Sequence, residues 1–244
     1  SVPGQSWSQT FSVTANTVTV VTIPQTNVYD GCSDCIIDKA VNITAVKDVI
    51  VYSHQYLGNQ SDATLVLPTR TLGKEYYTMG YTQASAFGGP GYNVFAIVAT
   101  KDSTKVRITP TNAITKSGGG SLAANTPYMI TLDEGEFYQG VGVSSLGSSS
   151  DLTGTKIEVI DTGATANCRT VAVFSGSTYT PINAGCSGTA SGDNLYEQMF
   201  PTNSWGERFV IVPALGRNGD NYRFLASENN TEVTVLKAGG APLC

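Results

Sequence analysis

Charge is what this sequence most lacks. Asp, Glu, Lys and Arg make up 14% of its 244 residues, where about 25% is usual for a globular chain. The net charge is −5, and the few Lys and Arg form no cluster. Nucleic acid and anionic lipid surfaces both demand clustered basic side chains, so both are excluded as partners. No run of about 18 apolar residues occurs, which excludes a membrane-spanning helix. Histidine appears once, as His54. A Ser-His-Asp or Cys-His relay has no other candidate, and no Gly-x-Ser-x-Gly elbow accompanies it. At the end of a strand pattern His54 reads as a hydrogen-bonded surface residue. Sustained 3.6-residue periodicity is also missing; at most, residues 191–199 hold a helical turn. The opening Ser1-Val2-Pro3-Gly4 has neither a charged nor an apolar leader segment. The expectation is a leader already removed, or a piece of a longer chain.

In place of charge the chain has Gly, Ser, Thr and Asn between short β-branched runs. That composition suits strands joined by tight turns and disfavours helix. The predicted class is therefore all-β. One stretch orders the rest: Leu67-Pro68-Thr69-Arg70-Thr71-Leu72-Gly73-Lys74-Glu75-Tyr76-Tyr77. It returns as Phe200-Pro201-Thr202-Asn203-Ser204-Trp205-Gly206-Glu207-Arg208-Phe209-Val210. Pro, Thr and Gly recur in place, and the flanking apolar positions are kept in kind.

Four further pairs recur in the same order. The run 12–23 matches 121–132, with Tyr29-Asp30-Gly31 following as Tyr138-Gln139-Gly140. Val41-Asn42-Ile43-Thr44-Ala45 matches Thr155-Lys156-Ile157-Glu158-Val159. Val49-Ile50-Val51-Tyr52-Ser53 matches Val171-Ala172-Val173-Phe174-Ser175. The run 99–108 matches 226–235, each with a turn, Asp102-Ser103-Thr104 or Asn229-Asn230-Thr231. Five collinear matches imply internal duplication. The Gly-rich Lys116-Ser117-Gly118-Gly119-Gly120 marks the joint, giving units 1–112 and 113–244. Each holds about six to seven strands. A sandwich-like arrangement is expected, with a propeller-like ring as the alternative. Pro68 and Pro201 cannot donate to a ladder and are placed at strand ends or edges.

Five cysteines are present. Cys32-Ser33-Asp34-Cys35 lacks the βαβ context of a redox motif, and Cys168 and Cys186 lack zinc-knuckle spacing. In a chain of this composition disulfides are expected: Cys32 with Cys35, and Cys168 with Cys186. The second closes a loop for which the chain-entropy model gives about 3 kcal/mol. Cys244 is left without a partner. Asp133, Glu134 and Glu136 cluster in a turn, and Asp151, Asp161, Asp193, Asp220 and Glu228 are scattered. They read as solvated turn residues. An enzyme acting on carbohydrate would need two opposed carboxylates, and Glu134 and Glu136 are the candidates for that alternative. Asp102 and Gly219-Asp220-Asn221 offer oxygen ligands for calcium without any recognised loop spacing. Asn42, Asn59 and Asn229 head glycosylation triplets. Tyr76, Tyr77, Tyr81, Phe87, Tyr92 and Tyr179 are the aromatics able to floor a binding site, or, alternating along strands, to fill a core.

Longer motifs in the second unit carry a resemblance. They are Asp151-Leu152-Thr153-Gly154-Thr155-Lys156-Ile157, Asp193-Asn194-Leu195-Tyr196-Glu197-Gln198-Met199-Phe200-Pro201-Thr202 and 222–235. With 67–77 and 99–104 of the first unit, they resemble the N-terminal domain family of IgG-Fc-binding proteins. The same domain type occurs in very large bacterial surface proteins, including adhesins of gliding bacteria. The Cys32–Cys35 loop and the Thr/Asn-rich first unit lean toward that bacterial version. Members begin before Val2 and continue beyond Val235, so the resemblance implies a piece of a longer chain. No antibody-binding residue carries over. What it implies is a non-enzymatic adhesion or structural module at the cell surface. Its partners would be a surface polysaccharide or protein, and other domains of its parent chain. No cofactor is expected beyond the weak calcium possibility. Ligand sites are expected in the loops that differ between units: 32–35, 84–91 and 178–193.

Overall fold

A computed structural model describes residues 1–58, 60–81, 91–145, 148–149, 151–160, 169–182, 192–212 and 221–235. Its strands, in chain order, are β1 (Cys35–Ile37), β2 (Val51–Leu57), β3 (Gln60–Val66), β4 (Glu75–Tyr77) and β5 (Asn93–Ala99). They continue with β6 (Thr104–Thr109), β7 (Ile114–Thr115), β8 (Ser121–Leu122), β9 (Tyr128–Leu132) and β10 (Phe137–Val141). The rest are β11 (Ser144–Ser145), β12 (Ser148–Ser149), β13 (Lys156–Val159), β14 (Val171–Pro181) and β15 (Gly192–Gln198). Two antiparallel sheets dominate. A five-stranded sheet runs β1-β10-β5-β14-β15, and a four-stranded sheet runs β4-β13-β6-β9. The class is all-β and the arrangement sandwich-like.

Alternation along the strands builds the core. In β5, Asn93, Phe95, Ile97 and Ala99 are buried while Val94, Ala96 and Val98 are half-exposed. In β6, Thr104, Val106 and Ile108 turn inward, and Lys105 and Arg107 turn to solvent. Tyr76, Leu132, Tyr138, Ile157, Val171 and Val173 meet them from the neighbouring strands. Each such aliphatic side chain contributes about 1.5–3 kcal/mol by leaving water. Where β10 and β5 cross, Gly140 leaves room for the Phe95 ring, which lies 2.5 Å from where a Cβ would stand.

Both sheets mix strands from before and after residue 112. Strand β5 pairs with β10 on one side and β14 on the other, and β13 lies between β4 and β6. Apart from β1, the sandwich thus runs from the first Pro-Thr stretch to the second. Residues 191–199 do not form a helical turn: 192–198 are strand β15, paired with β14 from Phe174↔Gln198 to Pro181↔Gly192. The cross-strand ladder overrides a weak local signal. By contrast, 12–23, 41–45, 209–212, 222–226 and 231–235 read as strands in sequence but lie outside the sheets.

The edge of β15 is closed without a ladder. Its outward amides at Asn194, Tyr196 and Gln198 donate to Asp193 Oδ1 (2.9 Å), Asp62 Oδ2 (2.7 Å) and Thr64 Oγ1 (2.8 Å). Asp62 and Thr64 come from β3, which pairs with β2 as a separate hairpin.

The two Pro-Thr stretches share one local geometry. Each is a single 3-10 turn, Thr69–Thr71 and Thr202–Ser204, entered through an extended Pro and left through an extended Leu72 or Trp205. The Thr71 hydroxyl donates to the Pro68 carbonyl and the Ser204 hydroxyl to that of Pro201, both at 2.8 Å. The turns at 102–104 and 229–231 match as well. Ser103 and Asn230 have φ of 56° and 60°, and Thr104 and Thr231 hydroxyls donate to the Lys101 and Glu228 carbonyls.

Candidate binding site

The Cys32–Cys35 loop adds a strand to the sandwich edge and opens a cleft beside it. Strand β1 pairs with β10 in the register Cys35↔Gln139, Ile36↔Tyr138 and Ile37↔Phe137. Cys32 and Cys35 are joined by a disulfide, as their spacing in this loop suggested. The turn between them needs a left-handed residue, and Asp34 supplies it at φ 56°. The loop is tied down on all sides. The Cys32 amide donates to Asp30 Oδ1 (3.0 Å), and the Asp34 amide to the Gln139 carbonyl (2.8 Å). The Gln139 side-chain amide donates back to the Cys32 carbonyl. Ser33 Oγ donates to the Thr115 carbonyl (2.6 Å) and accepts from the Val141 amide (3.1 Å). A binding surface built on such a loop is pre-organised, which lowers the ordering cost of association.

Behind the loop runs a polar chain from the core. Tyr138 donates to Asp34 Oδ1 (3.0 Å), and the Tyr128 and Tyr138 hydroxyls lie 2.9 Å apart. Burial, with the neighbouring hydroxyl and the Asp34 carboxylate, pushes the Tyr138 phenol far above its ordinary range. Burial raises Tyr128 too. Both stay neutral donors and act as struts for the loop, not as acids.

The cleft has a volume of about 410 Å³ and is lined by the disulfide, Ile36, Ile37, Asp30, Asp38, Lys39 and Glu136. Lys39 lies 3.6 Å from Asp30 Oδ2 and donates to the Tyr29 carbonyl at 2.9 Å. Three carboxylates and one engaged ammonium make a surface of acceptors, suited to hydroxyl or amide donors. A second cleft, of about 350 Å³, lies where the two Pro-Thr stretches meet, between Gly73, Glu75, Thr170, Thr202 and Asn203.

The other sequence candidates fall in separate places. Glu134 and Glu136 sit in the β9–β10 turn, where Glu136 Oε2 accepts from the Asp133 amide (2.8 Å) and Glu134 pairs with Lys101 at 3.8 Å. Asp133 and Asp102 cap each other's turns: Ser103 N–H donates to Asp133 Oδ1 (2.7 Å) and Glu134 N–H to Asp102 Oδ1 (3.0 Å). These carboxylates hold turns together. Among the described residues no group of three or more His, Cys, Asp and Glu gathers as metal ligands would. His54 lies exposed on β2, opposite Ala63. Tyr76 is core; its hydroxyl accepts from Gly73 N–H and donates to the Val171 carbonyl, each at 2.7 Å. Tyr77 packs against Trp205, with centroids 5.8 Å apart, and Tyr81 lies under the Arg223 guanidinium at 4.9 Å. Tyr92 is exposed. Asn42 and Asn229 are exposed, as glycan acceptors must be. Phe87, Asn59, Asp161, Asp220, Cys168, Cys186, Cys244 and most of the loops 84–91 and 178–193 lie outside the described residues. The Tyr128–Tyr138–Asp34 chain went unforeseen; its members are about a hundred residues apart in part, and only the β1–β10 pairing brings them together.

The model of one family, described as IgGFc binding protein, matches residues 62–243. The chain belongs to that family. A relative within it, the human (Homo sapiens) IgGFc-binding protein, is 27% identical over 179 residues. That alignment covers 73% of this chain and 3% of the human protein. No solved structure matches. The family match begins after β2, so both Pro-Thr stretches and every strand of the two large sheets except β1 lie inside it, while β1 and the Cys32–Cys35 loop lie outside. The cleft beside that loop is lined by residues 30–39, outside the match, and by Glu136, inside it. No helix among the described residues is long and apolar enough to cross a membrane.

Proposed function

We propose that this chain is a non-enzymatic binding module of an extracellular protein, a bacterial cell-surface adhesin of the kind used in gliding or surface attachment. The observation that supports this most is the match to the IgGFc binding protein family over residues 62–243. The fastened Cys32–Cys35 loop supports it too, because a disulfide persists in oxidising surroundings. The cleft beside the loop is where the ligand is held, and its acceptor-rich lining suits the donors of a protein or polysaccharide surface. The carboxylates that an enzyme would need are, in this reading, turn caps.

The test is a binding screen of the intact chain against immobilised immunoglobulin Fc, a glycan array and bacterial or mineral surfaces. Saturable binding lost in the double variant Asp30→Asn, Asp38→Asn supports the site. Binding that survives this change moves the site elsewhere. No binding to any of the three reduces the role to a spacer. Sugar released from a polysaccharide panel, and lost in Glu136→Gln, replaces the reading with an enzyme.

A further inference from the structure

The cleft beside the Cys32–Cys35 loop holds charge that the chain leaves unbalanced. Asp30, Asp38, Glu136 and Lys39 are the ionisable groups in its lining. Lys39 is engaged by Asp30 and by the Tyr29 carbonyl. Asp38 and Glu136 form no ion pair among the described residues. What they accept are uncharged N–H groups. Gln5 Nε2 donates to Asp38 Oδ1 at 3.1 Å, and the Asp133 amide to Glu136 Oε2 at 2.8 Å. Each of these bonds engages one oxygen of its carboxylate. The fold brings the two together: Ile37 pairs with Phe137 across β1 and β10, and the Ala40 amide donates to the Gly135 carbonyl at 3.2 Å.

The rest of the lining is apolar. It consists of the disulfide, Ile37, which is buried, and Ile36, which is 46% exposed. An aliphatic wall beside uncompensated carboxylates selects among ligands. A neutral sugar would lay hydroxyls against the wall and gain only ordinary hydrogen bonds from the acids. An ammonium or guanidinium gains charge-assisted bonds, which are about twice as strong. Lys and Arg side chains carry such a head on a stem of methylene groups that packs on apolar surface. Their two parts match the two parts of the cleft.

We propose that the cleft takes a Lys or Arg side chain presented by a protein partner. The stem lies on Ile36 and the disulfide, and the head is held by Asp38 and Glu136. This rests on the cleft being the ligand site, as proposed above, and narrows its ligand from any donor-rich surface to a protein with an exposed basic side chain. Because the loop is fastened before the ligand arrives, the cost of ordering falls on the incoming side chain alone. The attraction is between charges open to solvent, so salt weakens it.

The test is a titration of the intact chain, followed by backbone amide NMR shifts, with three probes: the Nα-acetyl amides of lysine, arginine and uncharged norleucine. The first two are expected to give saturable shifts around Ile36, Ile37, Asp38 and Glu136, with a Kd in the millimolar range, and norleucine none. Raising salt from about 0.05 to about 0.5 M weakens binding. Asp38→Asn and Glu136→Gln each keep an oxygen for the Gln5 or Asp133 N–H, so the loop keeps its shape. Each is expected to raise Kd by about 2–5-fold, while Glu232→Gln, at an exposed carboxylate elsewhere, leaves it unchanged. Norleucine binding as well as lysine, a Kd unmoved in both isosteric variants, shifts spread over acidic residues across the surface, or no saturation with either cation overturns the proposal. The two readings fail separately. A glycan held through the cleft and not displaced by the lysine probe keeps the site and overturns its cationic ligand. Saturable lysine binding without any binding in the surface screen keeps the cationic ligand and removes only the surfaces tried.

Discussion

The central sandwich and the two flanking segments carry the same apolar alternation, yet one is buried and the other open. Val106-Arg107-Ile108 and Val233-Thr234-Val235 alternate alike, follow matching left-handed turns at Ser103 and Asn230, and differ in burial almost completely. A β-strand buries its face only when a partner sheet is supplied, and nothing in its own residues provides one. The pattern states which face wants to be covered. Topology decides whether it is.

The sharpest way to separate the two regions is to remove the same methyl groups from each. Ile108→Ala is expected to cost about 2–5 kcal/mol because it leaves a cavity in the core. Val235→Ala, measured on dilute protein, is expected to cost less than about 0.5 kcal/mol. Urea unfolding gives both values. Equal costs would show that the C-terminal segment is already packed.

The glycine pair makes the next comparison. Gly73→Ala drives a methyl group into Pro201 and is expected to destabilise by about 1–3 kcal/mol. At Gly206 the nearest atom to a new Cβ is 3.6 Å away on Phe209, so Gly206→Ala is expected to be neutral within about 0.5 kcal/mol. The same denaturant midpoints check this pair.

Tyr76 and Phe209 differ by one hydroxyl, and Tyr76→Phe tests its worth. Gly73 N–H and the Val171 carbonyl lose their shared partner, at an expected cost of about 1–3 kcal/mol. Burial, opposed in part by the Gly73 hydrogen bond, raises the Tyr76 phenol from 10.0 to about 12. Below pH 10 neither folded nor unfolded state ionises there. Between about 10 and 12 only the unfolded state does, so stability falls as pH rises, by up to about 1.4 kcal/mol per pH unit from this group. Unfolding midpoints across that range should decline less steeply in Tyr76→Phe.

The smallest effect lies in charge. Glu158 sits between Arg107 (2.9 Å) and Lys156 (2.9 Å) on the outer face of the four-stranded sheet. The Arg107 hydrogen bond, against some burial and aided by Lys156, holds its carboxyl below the usual value. Its stabilisation is present above the unfolded carboxylate range and is lost as pH falls through the depressed folded value. About 1 kcal/mol or less is at stake at such a surface network. The corresponding flanking positions are Thr44, Thr234 and Asn42, which carry no charge. Acid titration of Glu158→Gln should therefore show a flatter acid limb than the parent chain.

Much of this was legible before any coordinates. The run 99–108 reads as strand, turn and strand, which places Val106 and Ile108 in β6, and the recurrence of Pro-Thr-x-x-Leu/Trp-Gly marks a repeated turn. Proximity of Cys32 to Cys35 in a loop was enough to join them. Pairing across distance was not legible. Nothing local says that β5 chooses β14 over Val49-Ile50-Val51, since both offer valines at alternate positions. Residues 191–199 read at most as a helical turn, and 192–198 become strand because β14 lies beside them. The cleft was half legible: its loop stood out as a difference between units, but its lining joins Asp30 and Glu136 through a sheet register that no short stretch encodes.

The closed edge of β15 has a consequence for crowding. An open strand edge recruits whatever strand comes near, which is how β proteins aggregate. Here each outward amide is already occupied by an oxygen from Asp193, Asp62 or Thr64. Strand β3 lies along that edge and is fastened to it further by Ser61, Thr64 and Leu67, so while it stays in place these amides offer an incoming peptide nothing to bond. A protein packed densely against copies of itself would thereby be inert along one flank.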